Sequence, residues 1–316
     1  MERDALLAVA VATTVATAWR AAARRPPWVV VAVAAAALVE FGVAAFAPWP
    51  AWTRGPLALH ATSLVGKLAA LGRGGRGATT PTEPPTRLLL YAFLWPGLEL
   101  SIAFRRDARA DRPHGRHALA VGLVEVALGW GIAQGARALG GFEAPEPIPS
   151  WLRCASFVAV LDGAFRASAG ALRALGCHAE DLFREPWAAK DLPEFWGTRW
   201  NRFVGRTLAL EVYAPVKART GRALAVVAAF FMSGVFHEVL YGLPAFADGR
   251  YVAFFLAHGV ATLSVGALVA GRRGRRPGLA RRATARALSW AVLLATAPLF
   301  FGGPYSAVLP IERARP

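Results

Sequence analysis

Apolar residues in this chain fall in long unbroken runs, not in alternation. Ala, Val, Leu and Phe dominate stretches at about 5–19, 28–47, 88–104, 117–139, 151–175, 222–243, 251–270 and 287–309. Most are long enough to cross a ~30 Å hydrocarbon layer at ~1.5 Å per residue, whereas a helix on a soluble core keeps one polar face. The pattern predicts an all-α integral membrane protein with about eight transmembrane helices, one polytopic domain over residues 1–316. The stretch 57–71 is moderately apolar and is assigned to a joint; should it span, the sides of the flanking joints change. The first run is short, and Ala16-Thr17-Ala18 looks like a cleavage site. Its leading residues Met1 to Asp4 carry little net charge, however, and Arg20, Arg24 and Arg25 follow it, the reverse of a signal peptide. An uncleaved span with its N-terminus outside is expected.

Charge orients the spans. Residues 105–116 carry Arg105, Arg106, Arg109, Arg112 and Arg116, and residues 271–286 carry seven Arg, so both joints are expected in the cytoplasm. Residues 140–150 carry Glu143 and Glu146 and no base, and are expected outside. Eight spans with both termini outside satisfy all three joints. The cost is that 48–87 lies outside despite Arg54, Lys67, Arg73, Arg76 and Arg87. The formal charge of +16 is therefore read as basic loops on anionic headgroups, with no nucleic-acid partner. Only three of the 36 basic residues are Lys, and with abundant Ala and Gly this is the usage of a GC-rich bacterial genome. The expected location is the bacterial inner (cytoplasmic) membrane. Cys154 and Cys177 make neither a disulfide framework nor a zinc site, and no metal or cofactor is expected.

The segment 176–221 is too polar to span and too aromatic for a linker. Asp191 followed by Glu194 fits a helix start of capping-box type, with Pro193 in the first turn. On the interfacial amphipathic helix expected to follow, Trp196, Trp200 and Phe203 share an apolar side and Arg199, Arg202 and Arg206 a basic one. Gly197, Asn201 and Gly205 share a third, which serves either close helix packing with Asn201 as polar glue or close approach of a substrate.

In the span 222–243, Ser233, His237 and Tyr241 lie at i, i+4 and i+8, while Glu238 points about 100° away. Ionisable residues in an apolar helix are costly and face a cavity or a partner. A neutral imidazole there either accepts a proton from a hydroxyl or bonds structurally between helices. Glu40, Glu99, Glu125 and Asp162 are expected in structural pairs, Asp162 with Arg166 four residues on. His60, His114, His117 and His178 are expected in solvent. His258 either lines the same cavity or bonds a backbone group, and the second is preferred. No metalloprotease, serine-hydrolase, P-loop or dinucleotide fingerprint is present.

The run Leu175-Gly176, Asp181-Leu182-Phe183, Pro186-Trp187 and Leu192 through Asn201, then Val212-Tyr213-Ala214-Pro215-Val216 and Phe230 through Glu238, resembles the plant wax synthase branch of the membrane-bound O-acyltransferase family in order and spacing. The resemblance covers 175–241, with Leu94-Trp95-Pro96-Gly97 as a weaker upstream element; Pro193, Glu194 and Thr198 depart from the family pattern. It implies acyl transfer from acyl-CoA, a co-substrate, to a lipophilic alcohol at the bilayer. It also implies His237 and Asn201 as catalytic residues. Trp196, Arg199, Trp200, Arg202, Ser233 and Tyr241 are expected to bind substrate, with the Arg face on CoA phosphates. A polysaccharide or small hydroxyl acceptor, or a non-catalytic transporter or scaffold, are the alternatives; the oligomeric state is open.

Overall fold

The computed structural model describes residues 3–73, 84–100, 103–105, 112–243, 248–270 and 278–302, the side chain of Trp52 apart. Its elements are helical: α1 (Arg3–Ala22), α2 (Pro27–Phe46), α3 (Ala51–Gly72), α4 (Pro85–Leu94), α5 (Arg112–Ala138), α6 (Ile148–Ala174), the single turn α7 (Leu192–Glu194), α8 (Arg202–Leu208), α9 (Ala214–Thr220), α10 (Arg222–His237), α11 (Arg250–Val269) and α12 (Leu279–Phe301). Seven of these are long and apolar enough to cross a membrane: α1, α2, α5, α6, α10 with the turn after it, α11 and α12. Large apolar side chains stand on the outside of the bundle, among them Trp19, Val31, Val39, Leu123, Leu128 and Val260, as a lipid-facing surface requires. The protein is an all-α integral membrane protein.

The expected span at 88–104 is not one. α4 has ten residues and stops at Leu94. Pro96 has no amide hydrogen and forces Trp95 out of helical conformation (φ −81°, ψ 128°). The freed carbonyls are met by Lys67 on α3, whose Nζ donates to Ala92 O and Trp95 O, each at 2.7 Å. The Tyr91 hydroxyl donates to Leu98 O across the break. Ten residues reach ~15 Å, about half the hydrocarbon layer.

α3, whose stretch was expected in a joint, is a long helix inside the bundle, though not one of those seven. It has 22 residues and packs along α1 and α2 around Leu6, Val33, Phe41, Leu64, Leu68 and Tyr91. Its polar residues are partnered within the bundle: Arg54 donates to Ala44 O and Ala45 O, and His60 Nδ1 lies 2.9 Å from both Glu40 oxygens. His60, expected in solvent, is partly exposed and also paired with Glu40. Were α3 to cross, it would restore eight alternating spans and put Arg73 and Arg87 at the basic end of the bundle, which would remove the cost noted for 48–87. The last helix begins at Leu279, eight residues before the expected 287, and ends at Phe301.

α5 and α6 form a hairpin sealed by small residues. Gly115, Gly122, Gly129 and Ala136 recur every seven positions on α5, facing Ser156, Gly163 and Gly170 on α6. A Cβ added at any of those five glycines would come within 3.0 Å of the opposite helix's backbone. Close approach of this kind drives association where lipid is as apolar as the side chains. Arg166 pins the pair, with Nε 2.8 Å from Glu125 and NH2 3.0 Å from Asp162. The hairpin leans on α12 through Trp151 Nε1 to Leu294 O and Arg153 to Phe301 O.

Segment 175–221 gathers at the basic end. Glu211 pairs with Arg20 at the end of α1 (2.7 Å) and with Arg73 after α3 (3.7 Å). Arg173 pairs with Asp181, and His178 N–H donates to Arg105 O.

Candidate active site

α7 starts as expected: Asp191 Oδ1 accepts from Glu194 N–H at 2.8 Å, and Glu194 reaches back to Lys190 N–H. Burial pushes the Glu194 carboxyl up, but the Lys190 amide and the Arg199 guanidinium more than offset this and hold it below the usual carboxylate range. The single amphipathic helix expected over 194–206 does not form. Phe195–Arg199 is one wide π-turn, closed by Trp200 N–H to Phe195 O. Trp200 is extended and Asn201 left-handed (φ 36°, ψ 62°) before α8 begins. The neighbouring run 182–184 takes the backbone groups on either side of this break: Arg184 N–H donates to Arg199 O, and Arg202 N–H to Leu182 O.

The break sends the motif's side chains in different directions. Trp200 packs on Phe183 (ring centroids 4.7 Å) and stacks on Phe195 (5.3 Å); Phe203 joins the same cluster with Leu98 and Leu182. Trp196 points the other way, between α10 and α11, edge-on to Phe230 and 5.8 Å from Phe255. The three Arg expected on one free face are each tied to carboxylates: Arg199 to Glu194 (2.9 Å), Arg202 to Glu180 (3.9 Å), and Arg206 to Glu99 and Glu180 (both 2.7 Å). Arg199 also donates to Arg184 O and Glu185 O. Asn201 caps α8, its Oδ1 accepting from Val204 N–H at 3.3 Å; its Nδ2 has no partner among the described residues. Gly205 lies on that helix, its N–H donating to Asn201 O at 2.9 Å, whereas Gly197 lies on the π-turn before the break.

α10 carries His237 at its last residue, and Glu238–Gly242 is a further π-turn. His237 Nδ1 lies 2.7 Å from Ser233 O. A carbonyl only accepts, so Nδ1 carries the hydrogen and Nε2 holds the lone pair. Nε2 has no hydrogen-bond partner among the described residues, and the ring is half-buried. Phe255, Phe300 and Tyr241 wall it at centroid distances of 4.5, 5.3 and 6.0 Å. Ser233 contributes its carbonyl here. Tyr241 stays beside His237 although the π-turn widens the helix between them.

Glu238 leaves this face. Fully buried, it caps α11, with Oε1 accepting from Tyr251 N–H at 2.9 Å. Gly234 lets α11 approach: a Cβ there would lie 2.6 Å from Val252 Cα.

His258 is also fully buried. It bonds two side chains, not the backbone group preferred from sequence: Nδ1 lies 3.2 Å from Trp196 Nε1 and Nε2 2.7 Å from Thr296 Oγ1. Phe255 meets the rings of both Trp196 (5.8 Å) and His237 (4.5 Å), so it links the two motifs in the interior. Sequence reasoning missed Phe255, Phe300 and Thr296, since they read as ordinary members of apolar spans. No group of three or more His, Cys, Asp or Glu able to hold a metal occurs among the described residues.

Residues 179–257 match the profile of the membrane bound O-acyl transferase family. Over 100 residues the chain is 41% identical to the probable long-chain-alcohol O-fatty-acyltransferase 7 of Arabidopsis thaliana, covering 28% of this chain and 30% of that protein. Over 73 residues it is 44% identical to the probable long-chain-alcohol O-fatty-acyltransferase 6 of the same plant, 21% of each. Over 129 residues it is 36% identical to the long-chain-alcohol O-fatty-acyltransferase of Simmondsia chinensis, 37% of each. The chain thus spans well under half the length of these relatives, and the matched stretch holds three π-turns, at Phe195–Arg199, Ala209–Tyr213 and Glu238–Gly242.

Proposed function

We propose that this chain, whose segment 179–257 is that of the membrane bound O-acyl transferase family, moves an acyl group from acyl-CoA to the hydroxyl of a lipophilic alcohol. The observation that carries the reading is His237: Nδ1–H is engaged by Ser233 O, which leaves Nε2 as a base inside an aromatic wall. In the proposed reaction, Nε2 takes the alcohol proton as the alcohol oxygen attacks the thioester carbonyl. The oxyanion forms with Asn201 Nδ2 as donor, or Asn201 orients the thioester before attack. Collapse breaks the carbon–sulfur bond, and the imidazolium returns its proton to the CoA thiolate. Trp196, Trp200, Ser233 and Tyr241 shape the space around the acyl group and alcohol.

The CoA head is proposed to enter at the basic end, taken as cytoplasmic. Arg199, Arg202 and Arg206 already hold carboxylates, so their assignment to CoA phosphates gives way to a positioning role. Arg222, at the start of α10 and against Gly266, has no carboxylate partner among the described residues and is the better candidate. The alcohol arrives laterally from the bilayer. The proposed bacterial inner membrane rests on composition alone, the named relatives being plant proteins. The transporter reading needs intramembrane acids free for cargo, yet Glu40, Glu99, Glu125 and Asp162 each hold a cationic or imidazole partner.

The test is purified protein in detergent or vesicles, given acyl-CoAs of several chain lengths against a panel of alcohols from short to long chain plus a soluble glycan. Ester formation with long-chain alcohols is expected. Transfer only to the glycan would move the acceptor site to the outer face, and no transfer to any acceptor would sink the reading.

A further inference from the structure

We infer that His258 is a positioning residue that holds the plane of Trp196 and, through Phe255, the wall against which His237 works. The inference rests on the acyl-transfer reading above.

The indole nitrogen of Trp196 only donates, so at 3.2 Å His258 Nδ1 must accept and is unprotonated. Nε2 then carries the hydrogen of the neutral ring and donates to Thr296 Oγ1 at 2.7 Å. Thr296 passes its own hydrogen to Val292 O at 2.7 Å. Every link has one direction, and the chain ends on the backbone of α12. Both ring nitrogens are occupied in a fully buried imidazole, which removes it from the list of bases. What the chain fixes is a large ring at the joint of three elements. Trp196 sits on the π-turn Phe195–Arg199, and its indole meets Phe230 on α10 (5.7 Å), Phe255 on α11 (5.8 Å) and His258 itself (5.2 Å). Phe255 lies 4.5 Å from His237. Among the described residues the indole N–H makes this single hydrogen bond, so His258 is the polar group that orients the ring. A tilt of the indole shifts Phe255 and so the shape of the space beside Nε2. Displacements near 1 Å in a reacting geometry can cost about 10²-fold in rate.

Two amides separate the links. In His258→Asn the side-chain amide ends near the place of Nδ1 and its oxygen still accepts from Trp196. In His258→Gln the amide ends near the place of Nε2, keeping Thr296 and losing Trp196. Trp196→Phe retains a ring and removes the donor. On the full chain, with detergent-solubilised yield and size-exclusion profile matched, we expect His258→Asn within a few-fold of the wild-type kcat. His258→Gln and Trp196→Phe should each fall by about 10–10²-fold in kcat with acyl-CoA KM little changed, and the double variant should fall no further than either single one. Retention in His258→Gln with loss in His258→Asn would assign the histidine to holding α12 instead. Equal loss in both amides would mean that the imidazole itself is required, and full activity in Trp196→Phe would remove the indole N–H from the argument; each overturns the inference. An inactive wild type would sink the acyl-transfer reading, whereas these outcomes require an active one.

Discussion

His237 and Glu238 are adjacent in the chain and do separate work. The π-turn that begins at Glu238 carries its carboxylate to the first amides of α11, while His237 stays on the inner face of α10 with Nε2 open. His237→Gln keeps a hydrogen-bonding side chain without an imidazole base, and kcat should fall by about 10²–10⁴-fold with folding intact. Glu238→Gln keeps an acceptor oxygen for Tyr251 N–H and should stay near wild type, whereas Glu238→Ala removes the cap and should cost about 1 kcal/mol of stability. Steady-state assays on variants of matched expression check this; activity in His237→Gln with loss in Glu238→Gln would reverse the assignment. Arg199 makes a second case. Its partner Glu194 is held below the ordinary carboxylate value, so the stability Glu194 contributes is full above the unfolded value of ~4.3 and is lost as pH falls through the folded one. Arg199→Gln should therefore lower Tm clearly at pH 7, less at pH 3, and leave KM for acyl-CoA unchanged. A raised KM at unchanged Tm would restore Arg199 to the phosphates.

At the scale of elements, two hairpins depend on missing side chains. In α5–α6 the small residues recur every seven positions, and a heptad repeat keeps one stripe facing its partner along a left-handed crossing. In α10–α11 the same part is played by Gly234 against the α11 backbone, with Gly259 of α11 against the Phe230 side chain. Gly122→Val would push against α6 backbone and should cost at least ~1–3 kcal/mol. Gly131 lies on the same helix with nothing within 4 Å of an added Cβ, so Gly131→Ala should leave stability unchanged or slightly raised. Thermal unfolding in one detergent compares the two; equal Tm values would mean that the seam does not hold the hairpin.

At the scale of the whole molecule, α3 and α4 decide the topology. We propose that α3 crosses as well; α4 then enters from the basic end and turns back at Trp95-Pro96. Topology reporters at Pro84 and Gly278 should therefore read cytoplasmic, and one at Pro145 should read outside. An outside reading at Pro84 would mean that α3 does not cross. The positions 145 and 278 keep the sides expected from Arg and Glu alone, because exchanging one crossing segment for another preserves the count.

Much of this was present in one dimension. Runs of apolar residues require helices in lipid, because every backbone group there must be satisfied within its own segment. The asymmetry of Arg orients them, and the motifs around Asn201 and His237 lie in the stretch that matches the acyltransferase profile. Tertiary structure decided what pattern cannot encode. α3 was passed over because Arg54, His60 and Lys67 lower its hydropathy, and their partners lie on α2 and in the α4 break, 9 to 28 positions away. Arg199 sits at helical spacing from Arg202 and Arg206 but shares no helix with them, because backbone groups of residues 182–184 bond on either side of the break at Trp200. His258 was expected to bond a backbone group, because its partner Trp196 lies 62 positions earlier and on another element. Spacing along a chain reports neighbours on one helix; which carbonyl, carboxylate or indole arrives from another helix is set only when the helices pack.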